Sequence, residues 1–70
     1  MSIYQDMENK VNQVEQALSS GKVVYVTGKK IKNIKITNSV RTKVVIIEFD
    51  DSTTRSFYIS DFLRASVVIK

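Results

Sequence analysis

The side chains that most enzymes rely on near neutral pH are missing from this chain. Its 70 residues include no Cys and no His. That removes thiolate nucleophiles, disulfides, the commonest metal ligands and the commonest general base. Ser52-Thr53-Thr54 supplies hydroxyls but no base to activate them, and turn and strand propensity accounts for them. Glu48, Asp50 and Asp51 are the only acidic cluster. A divalent cation needs more converging oxygens than these, so a solvated turn is the better reading. With Gly21 and Gly28 as the only glycines, there is no phosphate-binding glycine loop. The expectation is a non-enzymatic protein with no cofactor, no metal and no small-molecule substrate.

Charge is the chemistry that remains. The net charge is +4, and it is unevenly spread. Residues 1–21 carry Lys10 against Asp6, Glu8 and Glu15, whereas residues 22–43 carry Lys22, Lys29, Lys30, Lys32, Lys35, Arg41 and Lys43 with no acid. Residues 44–70 return to a slight acidic excess, with Arg55, Arg64 and Lys70 against Glu48, Asp50, Asp51 and Asp61. A basic block of this kind suits a polyanion or an acidic protein surface. Lys29, Lys30, Lys32, Lys35, Arg41 and Lys43 are the candidate polyanion contacts, each able to neutralise a phosphate. Tyr25 and Tyr58 are the candidate stacking residues. Lysines on edge strands also guard sheets against aggregation, so the same block reads equally as a solubility device.

These side chains need elements to hold them. Ser2 and Gln5 have capping-box spacing. Ile3, Met7, Val11, Val14 and Leu18 then form one apolar stripe, with Tyr4 on its flank, and Ser19-Ser20-Gly21 ends the helix. The pattern predicts a helix over residues 2–19. From Lys22 the period changes to two and β-branched residues dominate. Strands are expected at 22–27, 30–37, 41–49, 54–59 and 65–69, with turns at Gly28-Lys29, Asn38-Ser39 and 50–53. A helical turn at 60–63, capped by Ser60 or Asp61, precedes the last strand. The expected core comprises Val24, Val26, Ile34, Ile36, Val45, Ile47, Phe49, Phe57, Ile59, Leu63, Val67 and Ile69.

Two irregularities carry information. Strict alternation through KKIKNIKI would put Lys30 and Lys32 in line with core residues and turn Ile31 outward. A bulge near Asn33 would turn the lysines out instead. In addition, Val44-Val45-Ile46-Ile47, Val23-Val24-Tyr25-Val26 and Val67-Val68-Ile69 are apolar on both faces. One helix stripe covers about two strands, so a homo-oligomer or a docked partner is expected to cover the rest.

The order helix, then about five short antiparallel strands with a helical turn before the last, outlines an α+β, mainly β fold. It predicts one domain, 1–70, with helix 2–19 and a small, strongly bent five-stranded barrel over 22–70. The segment from Val24 to Ile34, VYVTGKKIKNI, resembles the first motif of Sm-like proteins: a strand, a glycine turn and a bent strand. Phe57-Tyr58-Ile59-Ser60 falls where that family has its second motif. Asn33 stands where a second glycine is usual, and the His of bacterial Hfq-like members is missing. Phe49–Phe57 with Asp61–Leu63 resembles SH3-like and Tudor-like barrels equally well. The resemblance implies an SH3-like (Sm-like) barrel. The functional expectation is a small binding or regulatory protein that self-associates and docks on a protein partner. The alternative is an RNA- or DNA-binding barrel using the basic block. No apolar run is long enough to span a bilayer and no signal-peptide layout is present, so the expected setting is the cytoplasm, away from membranes.

Overall fold

A computed structural model describes residues 3–70. Helix α1, Ile3–Ser19, buries Met7, Val11, Val14 and Ala17 along one stripe. Ile3, the expected start of that stripe, is largely exposed, and Leu18 is half-buried. The capping box depends on Ser2, which lies outside the described residues. At the other end, Gly21 takes a left-handed φ of 81°. The Lys22 amide donates to Ala17 O and the Gly21 amide to Leu18 O, the paired bonds that close a glycine-terminated helix.

Five strands follow: β1 Val24–Val26, β2 Lys29–Asn38, β3 Lys43–Phe49, β4 Thr54–Tyr58 and β5 Val67–Ile69. A second helix, α2 Ile59–Arg64, sits between β4 and β5. The sheet is antiparallel with the order β4-β3-β2-β1-β5. It is not closed into a barrel. β4 and β5 are its two edges, and α2 connects them along the chain.

The β1–β2 turn lies one residue earlier than expected, at Thr27-Gly28, with Val26 opposite Lys29. Both turn residues have positive φ, 52° and 81°, as a two-residue hairpin matched to strand twist requires. The β2–β3 register shifts between Ile31 and Asn33, so Lys32 is the extra residue of a bulge. Lys30 and Lys32 consequently face solvent. Ile31, which plain alternation turns outward, is only 3% exposed, because the bulge brings residues three apart to the same face.

The buried residues form one cluster between α1, the inner face of the sheet and α2. Phe62 lies at its centre, 0% exposed and edge-to-face with Phe57. Leu63, expected in the core, is half-buried. Helix α2 is longer than the anticipated single turn. It begins at Ile59, with Tyr58 as its N-cap and no side-chain cap bond, so neither Ser60 nor Asp61 caps it. Ile69, another expected core residue, is 41% exposed. It lines a groove of about 500 Å³ between α1 and β5, which α1 does not reach across.

Candidate interaction surface

The bulge and the two ends of β2 decide where the basic block goes. β2 is ten residues long, about 30 Å at roughly 3.3 Å per residue. That is close to the longest dimension of the molecule, 31 Å. Lys29 and Lys30 start the strand, and Lys43 lies opposite Asn38 at its other end, with Arg41 in the adjoining turn. The six candidate cations therefore lie along the molecule instead of converging on one patch.

Three of them also have acidic neighbours. Lys29 Nζ lies 3.1 Å from Asp51 and 4.7 Å from the centre of the Phe49 ring. Lys30 Nζ is 4.0 Å from Asp50. Lys43 Nζ is 3.3 Å from Glu8 of α1. Such half-exposed pairs add little stability, but they cancel charge a polyanion would otherwise meet. Among the described residues, Lys32, Lys35 and Arg41 have no ion-pair partner. Lys32 is on the bulge, Lys35 is on β2 opposite Ile46, and Arg41 follows Val40, which is 97% exposed at the turn.

The acidic turn holds itself together. The Thr53 hydroxyl and the Thr53 amide both donate to Asp51 Oδ1, while Lys29 approaches the other oxygen. The Thr53 hydroxyl foremost, then the Thr53 amide and Lys29, bring the Asp51 pKa down to about 2. Asp50 and Asp51 thus serve the β2 lysines and the turn. Among the described residues, no three acidic groups gather to hold a metal ion.

The two tyrosines are on the outer surface but apart. Tyr25 on β1 is half-buried between Lys30 and Val68, and Lys70 Nζ lies 5.3 Å from its ring centre. Tyr58 ends β4 and is 64% exposed, beside Val44. Strands β2 and β3 separate β1 from β4, so the two rings do not form a continuous stacking platform.

The outer face of β2, β3 and β4 is the surface that the double-faced apolar strands foreshadow. Directly paired residues share a face, so three rows can be read from the register. Thr37, Val44 and Tyr58 form the first, Lys35, Ile46 and Ser56 the second, and Asn33, Glu48 and Thr54 the third. Val44 and Ile46 are half-buried. A depression of about 260 Å³ runs between Lys35, Ile46 and Glu48.

Lys10 carries a role that the sequence reading did not assign. From α1 it donates to the carbonyls of Phe62, at 2.9 Å, Leu63, at 3.2 Å, and Ala65, at 2.9 Å. Its ammonium also lies 5.0 Å from the Phe62 ring centre. Partial burial lowers its pKa. The available signal was position: Lys10 is three residues after Met7, on the flank of the apolar stripe.

Comparison of the chain with protein-family models, with curated proteins and with solved structures finds no match.

Proposed function

We propose that this chain is a non-enzymatic binding protein that self-associates and docks on a protein partner. The observation carrying this reading is the outer face of β2–β4, where half-buried Val44 and Ile46 and exposed Tyr58 form an apolar group opposite the core. The unpaired edges β4 and β5 add to it, since an edge strand offers free backbone donors and acceptors. The strand order, the bulge that bends β2 and the helix between β4 and β5 support an SH3-like or Sm-like fold as part of the same proposal. The absence of cysteines fits a reducing, cytoplasmic setting. Sedimentation across a wide concentration range tests self-association: the expected result is mass rising with concentration, and a monomer throughout refutes it. Affinity purification from the source cell before and after nuclease tests the docking. A protein retained after nuclease supports it.

The second reading is nucleic-acid binding, and it rests on the three cations without acidic partners, Lys32, Lys35 and Arg41. Three phosphate contacts predict a slope of about −2 in log affinity against log salt for a single strand. No binding at about 50 mM salt, where electrostatic affinity is strong, refutes this reading.

A further inference from the structure

The hydrogen bonds of β5 leave one backbone edge unused beside the groove between α1 and β5. Val23 and Lys70 exchange both their amide bonds, and the Thr27 amide donates to Ser66 O. Antiparallel pairing alternates, so Val68 bonds to Tyr25 between them. Val67 and Ile69 therefore turn their amides and carbonyls away from β1, and among the described residues nothing bonds to them. Their side chains share a face with Val24 and Val26, and together with Val14 and Leu63 they line the groove. Helix α1 runs beside β5 in the same direction. Lys10 bonds to Ala65 O just before β5, and the chain leaving α1 reaches Val23, the partner of Lys70. Asp6, one turn before Lys10, lines the groove at its Ala65 end. It has no ion-pair partner among the described residues, whereas the Lys10 ammonium is held by three carbonyls.

We infer that this groove takes an extended segment of a protein partner, added to β5 as an antiparallel strand, with the pattern apolar-x-apolar-x-basic. This deepens the reading that the chain docks on a protein partner and rests on it. The two apolar residues pair with Ile69 and then Val67, and exchange both backbone bonds with each. Directly paired residues share a face, so their side chains enter the groove. The basic residue comes next on that face and reaches Asp6. A second copy of the chain offers no such segment. On β4, its other open edge, one face carries Thr54, Ser56 and Tyr58, and on the other Phe57 is already buried in its own core beside Arg55. A second β5 would bring Val67 and Ile69, but its Lys70 lies on the opposite face, over Tyr25.

The test uses the full chain labelled with nitrogen-15 and the end-blocked synthetic peptide TVTVTR, whose valines pair with Ile69 and Val67 and whose arginine meets Asp6. The expected result is saturable movement of the Val67 and Ile69 amide signals, with slower hydrogen exchange at both. N-methylation of the second valine removes an edge bond and should weaken binding about tenfold. N-methylation of the threonine between the valines, whose amide faces solvent, should change it by less than about threefold. The peptide TVTVTE should bind about twofold to fivefold more weakly than TVTVTR, and D6K, confirmed as folded by circular dichroism, should reverse that order. Equal loss from both N-methyl peptides, or binding that leaves Val67 and Ile69 unmoved, overturns strand addition. An order that D6K does not change overturns the Asp6 contact. Failure of every peptide at millimolar concentration, with a protein still retained after nuclease, overturns this site and leaves the docking reading standing. Failure of both overturns both. Protection of Val67 and Ile69 in the peptide-free chain that rises with chain concentration overturns the inference in favour of a second copy.

Discussion

At the scale of single residues, two polar side chains do more than their neighbours. Lys10 places all three ammonium donors on carbonyls at the end of α2, where the helix dipole also favours a cation. Replacing it with Met keeps the aliphatic stem and removes all three bonds, leaving Phe62 O with the Ala65 amide as its donor. The expected loss is about 1–3 kcal/mol, seen as a lower denaturant midpoint. Asp51 ties stability to acid. Its pKa of about 2 in the folded chain lies below the value of about 3.9 for an unfolded aspartate. A depressed carboxylate contributes stability that is complete above the unfolded pKa and is lost as pH falls through the folded one. Denaturant midpoints of the wild type should therefore fall between about pH 4 and pH 2. Thr53→Val removes the hydroxyl that contributes most, and should flatten that fall.

The elements show where local chemistry and tertiary demand meet. Thr27 has a left-handed φ of 52° in the β1–β2 turn, a conformation that a β-branched residue tolerates poorly and Asn accepts more readily. Thr27→Asn is expected to raise stability by up to about 1 kcal/mol, detectable as a higher melting temperature. The bulge makes a sharper prediction. Regular alternation leaves Ile31 on the surface, where truncation would be nearly neutral. With Lys32 as the extra residue, Ile31 is buried, and Ile31→Ala should cost about 2–5 kcal/mol. An equilibrium unfolding curve decides between the two. The same bulge explains how four lysines on one strand stay in water: Lys29, Lys30, Lys32 and Lys35 are all exposed, while Ile31 and Ile34 are not.

For the whole molecule, size sets the margin. A chain of 70 residues buries a smaller fraction of its surface than larger domains do, so single core contacts weigh heavily. Phe62 joins α1, α2 and β4 through Lys10 and Phe57. Phe62→Ala should cost about 3–5 kcal/mol, against a total stability for small domains that starts near 5 kcal/mol. Circular dichroism should show a chain that is marginally folded at room temperature and melts far below the wild type. Electrostatics at this scale argue against a single polyanion face, because Lys29, Lys30 and Lys43 sit beside Asp51, Asp50 and Glu8. Under the nucleic-acid reading, the salt slope of binding should be set by Lys32, Lys35 and Arg41, not by all six candidate cations.

Much of this was legible in the residues themselves, for reasons that lie in local physics. The 3.6-residue stripe of α1, the glycine that ends it and the period of two in the strands follow from backbone geometry and burial on one face. The mismatch of KKIKNIKI with plain alternation was enough to predict the bulge, since a lysine on the core face is too costly to persist. The candidate surface was partly legible as well, because Val44 and Ile46 announce an apolar outer face. What local pattern could not provide was distance between elements. Only the tertiary structure sets Asp50, Asp51 and Glu8 beside the basic block, places Lys10 at the end of α2, and leaves β4 and β5 as open edges. Each of these depends on how strands and helices far apart in sequence come to rest against one another. Neither composition nor periodicity encodes that arrangement residue by residue.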